Sequence, residues 1–152
     1  MFAQEPVKAT FIKSIDIKGE RIISFDNFGT PYFLKNNVLY TKNATKNLTY
    51  NNLQLGEISS VNTFNPLKIN LFYKDFNTVI ILDNRLAEIY KVDFNALTPY
   101  LNVSFISTGY DNTIWIFNQE LQRLQLFDYK SRTTRAHTVP IQSPILDLES
   151  DF

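Results

Sequence analysis

Two stretches of this chain resemble each other at a distance of 35 residues, and this similarity constrains the fold more than any other feature. Residues 78–86 align without a gap with residues 113–121, and the match continues through 95 and 130. Each copy consists of an apolar run, a short turn rich in Asn, Asp or Gln, and a second run. Asn and Asp tolerate the positive φ that tight hairpin turns require. The similarity predicts two equivalent β-hairpins.

A weaker third copy at residues 30–39 extends the pattern to three hairpins. The first strand of each hairpin is apolar at consecutive positions, which predicts burial on both faces. Another apolar segment precedes each hairpin, and a polar stretch follows, most clearly at 133–139. The mean offset of about 41 residues and four strands per unit predict an all-β chain of repeated four-stranded antiparallel units. Helical signals are confined to one short turn near residues 94–97.

These repeats resemble the blades of a β-propeller. The paired segments 78–95 and 113–130, the bias toward Asn, Lys, Ile and Phe, and the start Phe2-Ala3-Gln4 are similar to propeller-like proteins exported by Bacteroidetes-type bacteria. The resemblance implies a fold of about three blades, and it transfers no active residues, because blades recur across unrelated functions. The paired Trp-Asp of the WD40 class is absent, since Trp115 lies inside a predicted strand.

The chain is predicted to form one domain, residues 1–152, and the repeat predicts how this domain is divided into blades. The expected blades span approximately 18–56, 66–100 and 101–142, and the segments 8–17 and 143–152 belong to flanking blades. Residues 145–152 are similar to 69–76, which lead into a hairpin, so a fourth blade is expected to begin near the end of the sequence. Three blades do not close a ring. The chain is therefore interpreted as an incomplete arc of a larger propeller.

Composition excludes several classes of function. Fifteen basic and fifteen acidic residues cancel, which is not typical of a nucleic-acid-binding protein. The longest aliphatic or aromatic runs are four residues, too short for a transmembrane segment. There is no cysteine and no Gly-rich phosphate loop, so no cofactor is predicted. The residues Phe2-Ala3-Gln4 are typical of the end of a signal peptide, which predicts export to the periplasm or outer-membrane surface; the alternative is a cytoplasmic chain.

Candidate catalytic and metal-binding side chains each have a simpler interpretation. The single histidine, His137, is expected on the surface of an outer strand. The carboxylates are expected to cap turns by accepting backbone N–H groups, although convergent carboxylates could instead bind an ion or act in acid–base catalysis. No catalytic residue and no metal site is predicted. The carboxylates concerned are Asp26, Asp75, Asp111 and Asp151 at strand ends, with Asp93 and Asp128 at one shared repeat position.

Two further groups of side chains could recognise a ligand. Trp115, Tyr110 and Tyr32 could stack on a sugar ring, but Trp115 lies between Ile114 and Ile116, which favours core packing. A local basic cluster could meet an acidic partner or a lipid headgroup, or could protect a sheet edge from aggregation. Its members are Arg123, Lys130, Arg132 and Arg135.

The preferred hypothesis is a non-catalytic protein-binding or scaffolding module of the bacterial cell envelope, and the resemblance to exported propeller-like proteins implies a secretion-related assembly. The loops between the second and third strands are expected to share one face and to contact a protein partner. Alternatives are part of a propeller hydrolase acting on glycans or lactones, with active residues partly in missing blades, and an arc that closes by pairing with another chain. The predicted contacts are Asn36, Asn37, Asn84, Arg85, Gln119 and Glu120.

Overall fold

A computed structural model describes residues 7–12, 14, 16–26, 28–42 and 45–142. Its strands form three four-stranded antiparallel sheets, each a simple meander in chain order. This confirms the all-β, propeller-like fold with three four-stranded units. Sheet 1 contains β1 (Arg21–Phe25), β2 (Pro31–Lys35), β3 (Val38–Lys42) and β4 (Asn47–Tyr50); sheet 2 contains β5 (Ser60–Asn62), β6 (Ile69–Tyr73), β7 (Thr78–Leu82) and β8 (Glu88–Asp93); sheet 3 contains β9 (Val103–Thr108), β10 (Thr113–Asn118), β11 (Arg123–Asp128) and β12 (Thr133–His137).

Sheet 2 lies between the other two sheets, and its two middle strands, β6 and β7, are buried on both faces. Because side chains alternate along a strand, Leu71 and Ile80 pack against sheet 1, whereas Phe72 and Val79 pack against sheet 3. Every residue of β6 and β7 is buried. The consecutive apolar residues that indicated a doubly buried strand are therefore explained by a sheet that faces two apolar layers.

The outer strand of sheet 3 has the opposite character. All five residues of β12 are exposed, including His137. The polar stretch beginning at Thr133 is therefore an outer strand, and His137 lies on its surface, as the sequence predicted. The predicted single turn at residues 94–97 is a 3₁₀ turn, Phe94–Ala96, and a second 3₁₀ turn spans Lys74–Phe76.

The two most similar hairpins lie in successive sheets but do not occupy equivalent positions, which corrects the sequence alignment. The hairpin at 78–95 is β7–β8, the third and fourth strands of sheet 2; the hairpin at 113–130 is β10–β11, the second and third strands of sheet 3. Neighbouring strands are antiparallel, so the two hairpins point in opposite directions. Their similarity reflects a shared requirement, a buried strand followed by a tight turn, and not a shared place in the sheet.

That the segment 8–17 belongs to a flanking blade stays a prediction. None of its described residues belongs to a strand, and Phe11 and Ile12 are largely exposed. Alternation makes a strand possible, but a strand also needs a neighbour whose backbone groups pair with its own.

The short strand β5 lies outside the predicted blade 66–100. Residues 143–152, with their predicted fourth-blade similarity, lie outside the described residues.

The first strands of the three sheets run in the same direction, which gives the arc two distinct ends. The Ser24 hydroxyl near the end of β1 is hydrogen-bonded to that of Thr63, just after β5, and Asn62 Nδ2 donates to Ser107 Oγ near the end of β9. We call this the aromatic end; it carries the inner loops 26–30, 63–68 and 109–112 and the outer loops 83–87 and 129–132. The opposite end, called the amide end, carries the turns between second and third strands and the connections 51–59 and 94–102.

Candidate functional site

Inner loops at the aromatic end are fixed by short polar side chains at the ends of strands. Asp26 Oδ1 accepts hydrogen bonds from the backbone N–H groups of Phe28 (2.9 Å) and Thr30 (2.8 Å). Asn62 Oδ1 accepts from the N–H of Phe64 at 3.0 Å, and Asn65 holds Leu67 in the same way. Such local side-chain bonds stabilise a turn without secondary structure. The apolar residue two positions after each cap is therefore held in a defined loop.

These capped loops expose large apolar side chains. Phe28 is 90% exposed, Leu67 61%, Phe64 55% and Tyr110 49%. Each of the three inner loops thus contributes at least one large apolar or aromatic residue. Scattered exposed apolar residues are ordinary, and the amide end also exposes Leu53, Phe76, Tyr100 and Leu121. The group on the three adjoining inner loops is a candidate interaction site.

A neutral polar network lies directly beneath the loops, where first and second strands meet. Thr108 Oγ1 donates to Asn62 Oδ1 at 2.8 Å, and Asn70 Nδ2 donates to Thr108 Oγ1 at 2.9 Å. Asn70 is almost completely buried, and its Oδ1 has no hydrogen-bond partner. The network joins sheets 2 and 3 and supports the inner loops through amide and hydroxyl groups.

The outer loops at this end are capped by carboxylates. Asp83 Oδ1 accepts from the N–H groups of Arg85 (2.8 Å) and Ala87 (3.0 Å), and its other oxygen is paired with the Arg85 guanidinium at 3.0 Å. The backbone hydrogen bond from Ala87, reinforced by the bonds from Arg85, lowers the pKa of Asp83. The side chain of Arg85 remains mostly exposed above this paired carboxylate.

Asp128 performs the same role in sheet 3. It accepts from the N–H groups of Lys130 (2.9 Å) and Ser131 (3.0 Å), and it is paired with Arg135. The Ser131 hydrogen bond, followed by the Arg135 contact, lowers the pKa of Asp128. Asp26, Asp93 and Asp128 are therefore turn caps, as the sequence predicted.

Two basic side chains extend this outer loop beside Tyr110. Lys130 and Arg132 are exposed in the turn between β11 and β12. The N–H of Tyr129 donates to Asn112 O at 3.0 Å, which joins this turn to the inner loop that carries Tyr110. Apolar and basic groups therefore meet at the sheet 3 side of the aromatic end.

The amide end is organised differently, because its turn side chains bind the neighbouring connection. Asn77 Oδ1 accepts from Val103 N–H at 3.1 Å, and its Nδ2 donates to Leu101 O at 2.6 Å. Asn37 repeats the arrangement one sheet earlier: its Oδ1 accepts from Ile58 N–H and its Nδ2 donates to Gly56 O, both at 2.7 Å. The sequence reasoning missed Asn77, although it lies 40 positions after Asn37 and also directly precedes a third strand.

Gln122 occupies the corresponding place in sheet 3. Asn37, Asn77 and Gln122 each precede a third strand with a positive φ of 59°, 47° and 47°. The backbone carbonyl of Gln122 accepts from Ile141 N–H at 2.6 Å, so its backbone binds the next connection. Glu120 at this end accepts a hydrogen bond from the Tyr100 hydroxyl. The structural repeat therefore follows these three residues and not the 35-residue sequence match.

The six predicted contacts do not share one face. Asn36, Asn37, Gln119 and Glu120 lie at the amide end, whereas Asn84 and Arg85 lie in an outer loop at the aromatic end. The shared-face prediction is wrong because it treated the β7–β8 turn as a connection between second and third strands. That these six residues contact a partner stays a prediction.

Other predicted groups are also separated. Tyr32 is buried between sheets 1 and 2, whereas the half-buried Trp115 lies in sheet 3, so these rings do not form a common sugar platform with the exposed Tyr110. Arg123 begins β11, and Lys130 and Arg132 follow its other end, roughly 17 Å away at 3.3–3.4 Å per residue. Arg123 therefore lies apart from Lys130 and Arg132, and the predicted basic cluster does not include it.

The hydrolase alternative predicted carboxylates or histidines converging around the axis. Among the described residues there is no group of three or more His, Cys, Asp or Glu side chains arranged to hold a metal ion. No helix within the described ranges is long and apolar enough to cross a membrane.

With its three stacked sheets, the chain has the β-propeller fold. No family model matches it, and no curated protein matches it. Solved structures with a similar fold include apo AztD from Citrobacter koseri, with a TM-score of 0.59 at 9% identity over 84% of this chain and 36% of that chain. BamB from Moraxella catarrhalis has a TM-score of 0.57 at 13% identity over 87% of this chain and 38% of that chain. Virginiamycin B lyase from Staphylococcus aureus, as the catalytically inactive H270A variant with quinupristin, has a TM-score of 0.53 at 15% identity. That match covers 82% of this chain and 41% of the lyase chain. The chain thus spans about two fifths of the length of these proteins, and at such identities the likeness concerns the fold alone.

Proposed function

We propose that this arc is a non-catalytic protein-binding module of the bacterial cell envelope and that its partner docks on the aromatic end. The exposed apolar side chains of the three inner loops carry this proposal. A free apolar surface on rigid, capped loops loses little conformational entropy when it is covered by a partner, which favours association. Asn84 and Arg85, two of the predicted contacts, border the same end.

The envelope location rests on sequence features. The similarity of residues 78–95 and 113–130 to propeller-like proteins exported by Bacteroidetes-type bacteria supports export to the periplasm or the outer-membrane surface, within a secretion-related assembly. Cell fractionation of the tagged full gene product should recover it with envelope markers. Recovery in the cytoplasmic fraction would contradict this part of the proposal.

Site-specific photo-cross-linking tests the binding face. A benzoylphenylalanine replacing Phe64 should give discrete protein adducts in cells that express the full gene product. The matched control replaces Leu53, which is 90% exposed but lies at the amide end. Adducts at position 53 alone, or at neither position, would contradict the proposed face.

A further inference from the structure

We infer that the segment bound at the aromatic end is an acidic, amphipathic peptide of the partner protein, with apolar side chains against the inner loops and carboxylates against Lys130 and Arg132. This inference rests on the proposed function and names the chemistry of the partner. It depends on two observations that adjoin in sheet 3, the exposed aromatic loop and the basic outer turn.

The apolar half of the site is neutral at its base. Beneath Phe64 and Tyr110 lie the amides and hydroxyls of Asn62, Asn70 and Thr108, which do not repel an approaching chain of either charge. Apolar anchors of a partner therefore find an aromatic surface at the inner loops, above a polar network that is itself buried. The inner loops carry the carboxylates of Asp26 and Asp111, and the unpaired positive charges lie in the outer turn that contains Lys130 and Arg132.

In the outer loops, positive charges outnumber negative charges once the two local ion pairs are set aside. The carboxylate of Asp83 is paired with Arg85, and that of Asp128 is paired with Arg135. Lys130 and Arg132 remain as exposed positive charges in a turn that contains no acidic residue. The Lys130 ammonium lies 5.8 Å from the centre of the Tyr90 ring, a contact that positions the charge without neutralising it.

An arginine and a lysine beside an exposed tyrosine complement a carboxylate that follows an apolar residue. Arg132 can bind a carboxylate in bidentate fashion, and Lys130 adds a point charge. An anionic lipid surface would also be attracted by these charges. A protein segment is favoured because the apolar residues lie on capped loops separated by strand ends, which suits discrete side-chain anchors.

Fluorescence anisotropy with labelled synthetic peptides tests the inference. Three short peptides of equal length are compared, built from Leu, Phe and Glu, from Leu, Phe and Lys, or from Ser and Glu. The chain should bind the first about tenfold more tightly than the others, and added salt should weaken this preference. Binding of the chain to phosphatidylglycerol and to phosphatidylcholine vesicles is measured in parallel.

A charge-reversed variant provides the decisive comparison. In the K130E/R132E double variant the preference should pass to the Lys-containing peptide, because two exposed pairs together contribute about 1–2 kcal/mol, or roughly tenfold. A matched K35E/K91E variant reverses two exposed lysines outside the aromatic end and should leave the preference unchanged.

Each remaining outcome contradicts the inference. Equal binding of all peptides, no peptide binding, or binding only to phosphatidylglycerol vesicles would overturn it. If cross-links form at position 64 while the peptides show no charge preference, the binding face stands and only the acidic partner is wrong. Absence of those cross-links would instead contradict the proposed function itself.

Discussion

The two ends of the arc use the same residue types for different purposes. At the amide end, Asn37 and Asn77 direct their side chains sideways and bind the connection that leads into the next sheet. At the aromatic end, Asp26 accepts from backbone N–H groups of its own loop, whereas Asn62 caps its own loop and also bonds the hydroxyls of Ser107 and Thr108 in sheet 3. The amide end therefore joins neighbouring sheets by binding the connections between them, whereas the aromatic end combines loop caps with side-chain bonds between strand ends.

The largest loss in the free energy of unfolding is expected for a substitution at the amide end. Asn77→Ala removes both inter-sheet hydrogen bonds, leaves partly buried backbone groups unsatisfied, and places alanine at a φ of 47°. We expect a loss of about 2–4 kcal/mol in the free energy of unfolding, measured by urea denaturation. Asn84→Ala, an exposed change at the other end, should cost less than about 0.5 kcal/mol. Similar losses for both variants would remove the distinction between the ends.

Acid should destabilise the molecule through carboxylates of the aromatic end. The pKa values of Asp83 and Asp128 are lowered in the folded state, so their stabilising contribution is fully present above the ordinary value of 3.8. That contribution is lost as the pH falls through the lowered pKa values. The urea midpoint should therefore drop in this range, and the drop should be smaller in the D83N/D128N variant. An equal drop in both proteins would contradict the assignment.

A smaller effect is expected when an inner-loop cap is removed. Asp26→Ala eliminates the acceptor for Phe28 and Thr30 and should cost about 1 kcal/mol of unfolding free energy. Asp26→Asn retains an acceptor oxygen and should recover most of that loss. Thermal denaturation followed by circular dichroism measures both variants. Failure of Asn to recover stability would show that charge, rather than turn capping, is the important property.

The smallest effect on stability is expected where the effect on binding is greatest. Phe64→Ser replaces a side chain that is 55% exposed and should change the unfolding free energy by no more than about 0.5 kcal/mol. The same change should remove most cross-linking to a photo-reactive group placed at position 28. A loss of more than about 2 kcal/mol would instead indicate that Phe64 belongs to the core.

Much of the fold could be predicted from local sequence, because hairpins depend on neighbouring residues. The buried strands β7 and β10 and the polar strand β12 were identified from apolar runs and turn residues. Position within a sheet depends on contacts between distant residues, such as Asn77 with Leu101. The 35-residue match contained no information about those contacts, so it aligned a third strand with a second.

The candidate site was predicted less well for the same reason. Assigning Asn84 to the wrong end followed directly from the shift of one strand. The exposed residues Phe28 and Phe64 did carry a signal that was missed, since each stands two positions after an Asp or Asn at a strand end. Aromatic composition alone did not separate these residues from the buried Phe72 and Phe94. Exposure is a tertiary property, and only the turn context distinguishes them.

The burial of β6 and β7 on both faces of sheet 2 has a consequence for unfolding. Neither flanking sheet can detach without bringing water to apolar side chains of the central one, such as Ile80 on one side or Ile81 on the other. Neighbouring units coupled in this way lose their structure together rather than one after another. A protease that attacks the arc should therefore find either the intact three-sheet body or an open chain, with little in between.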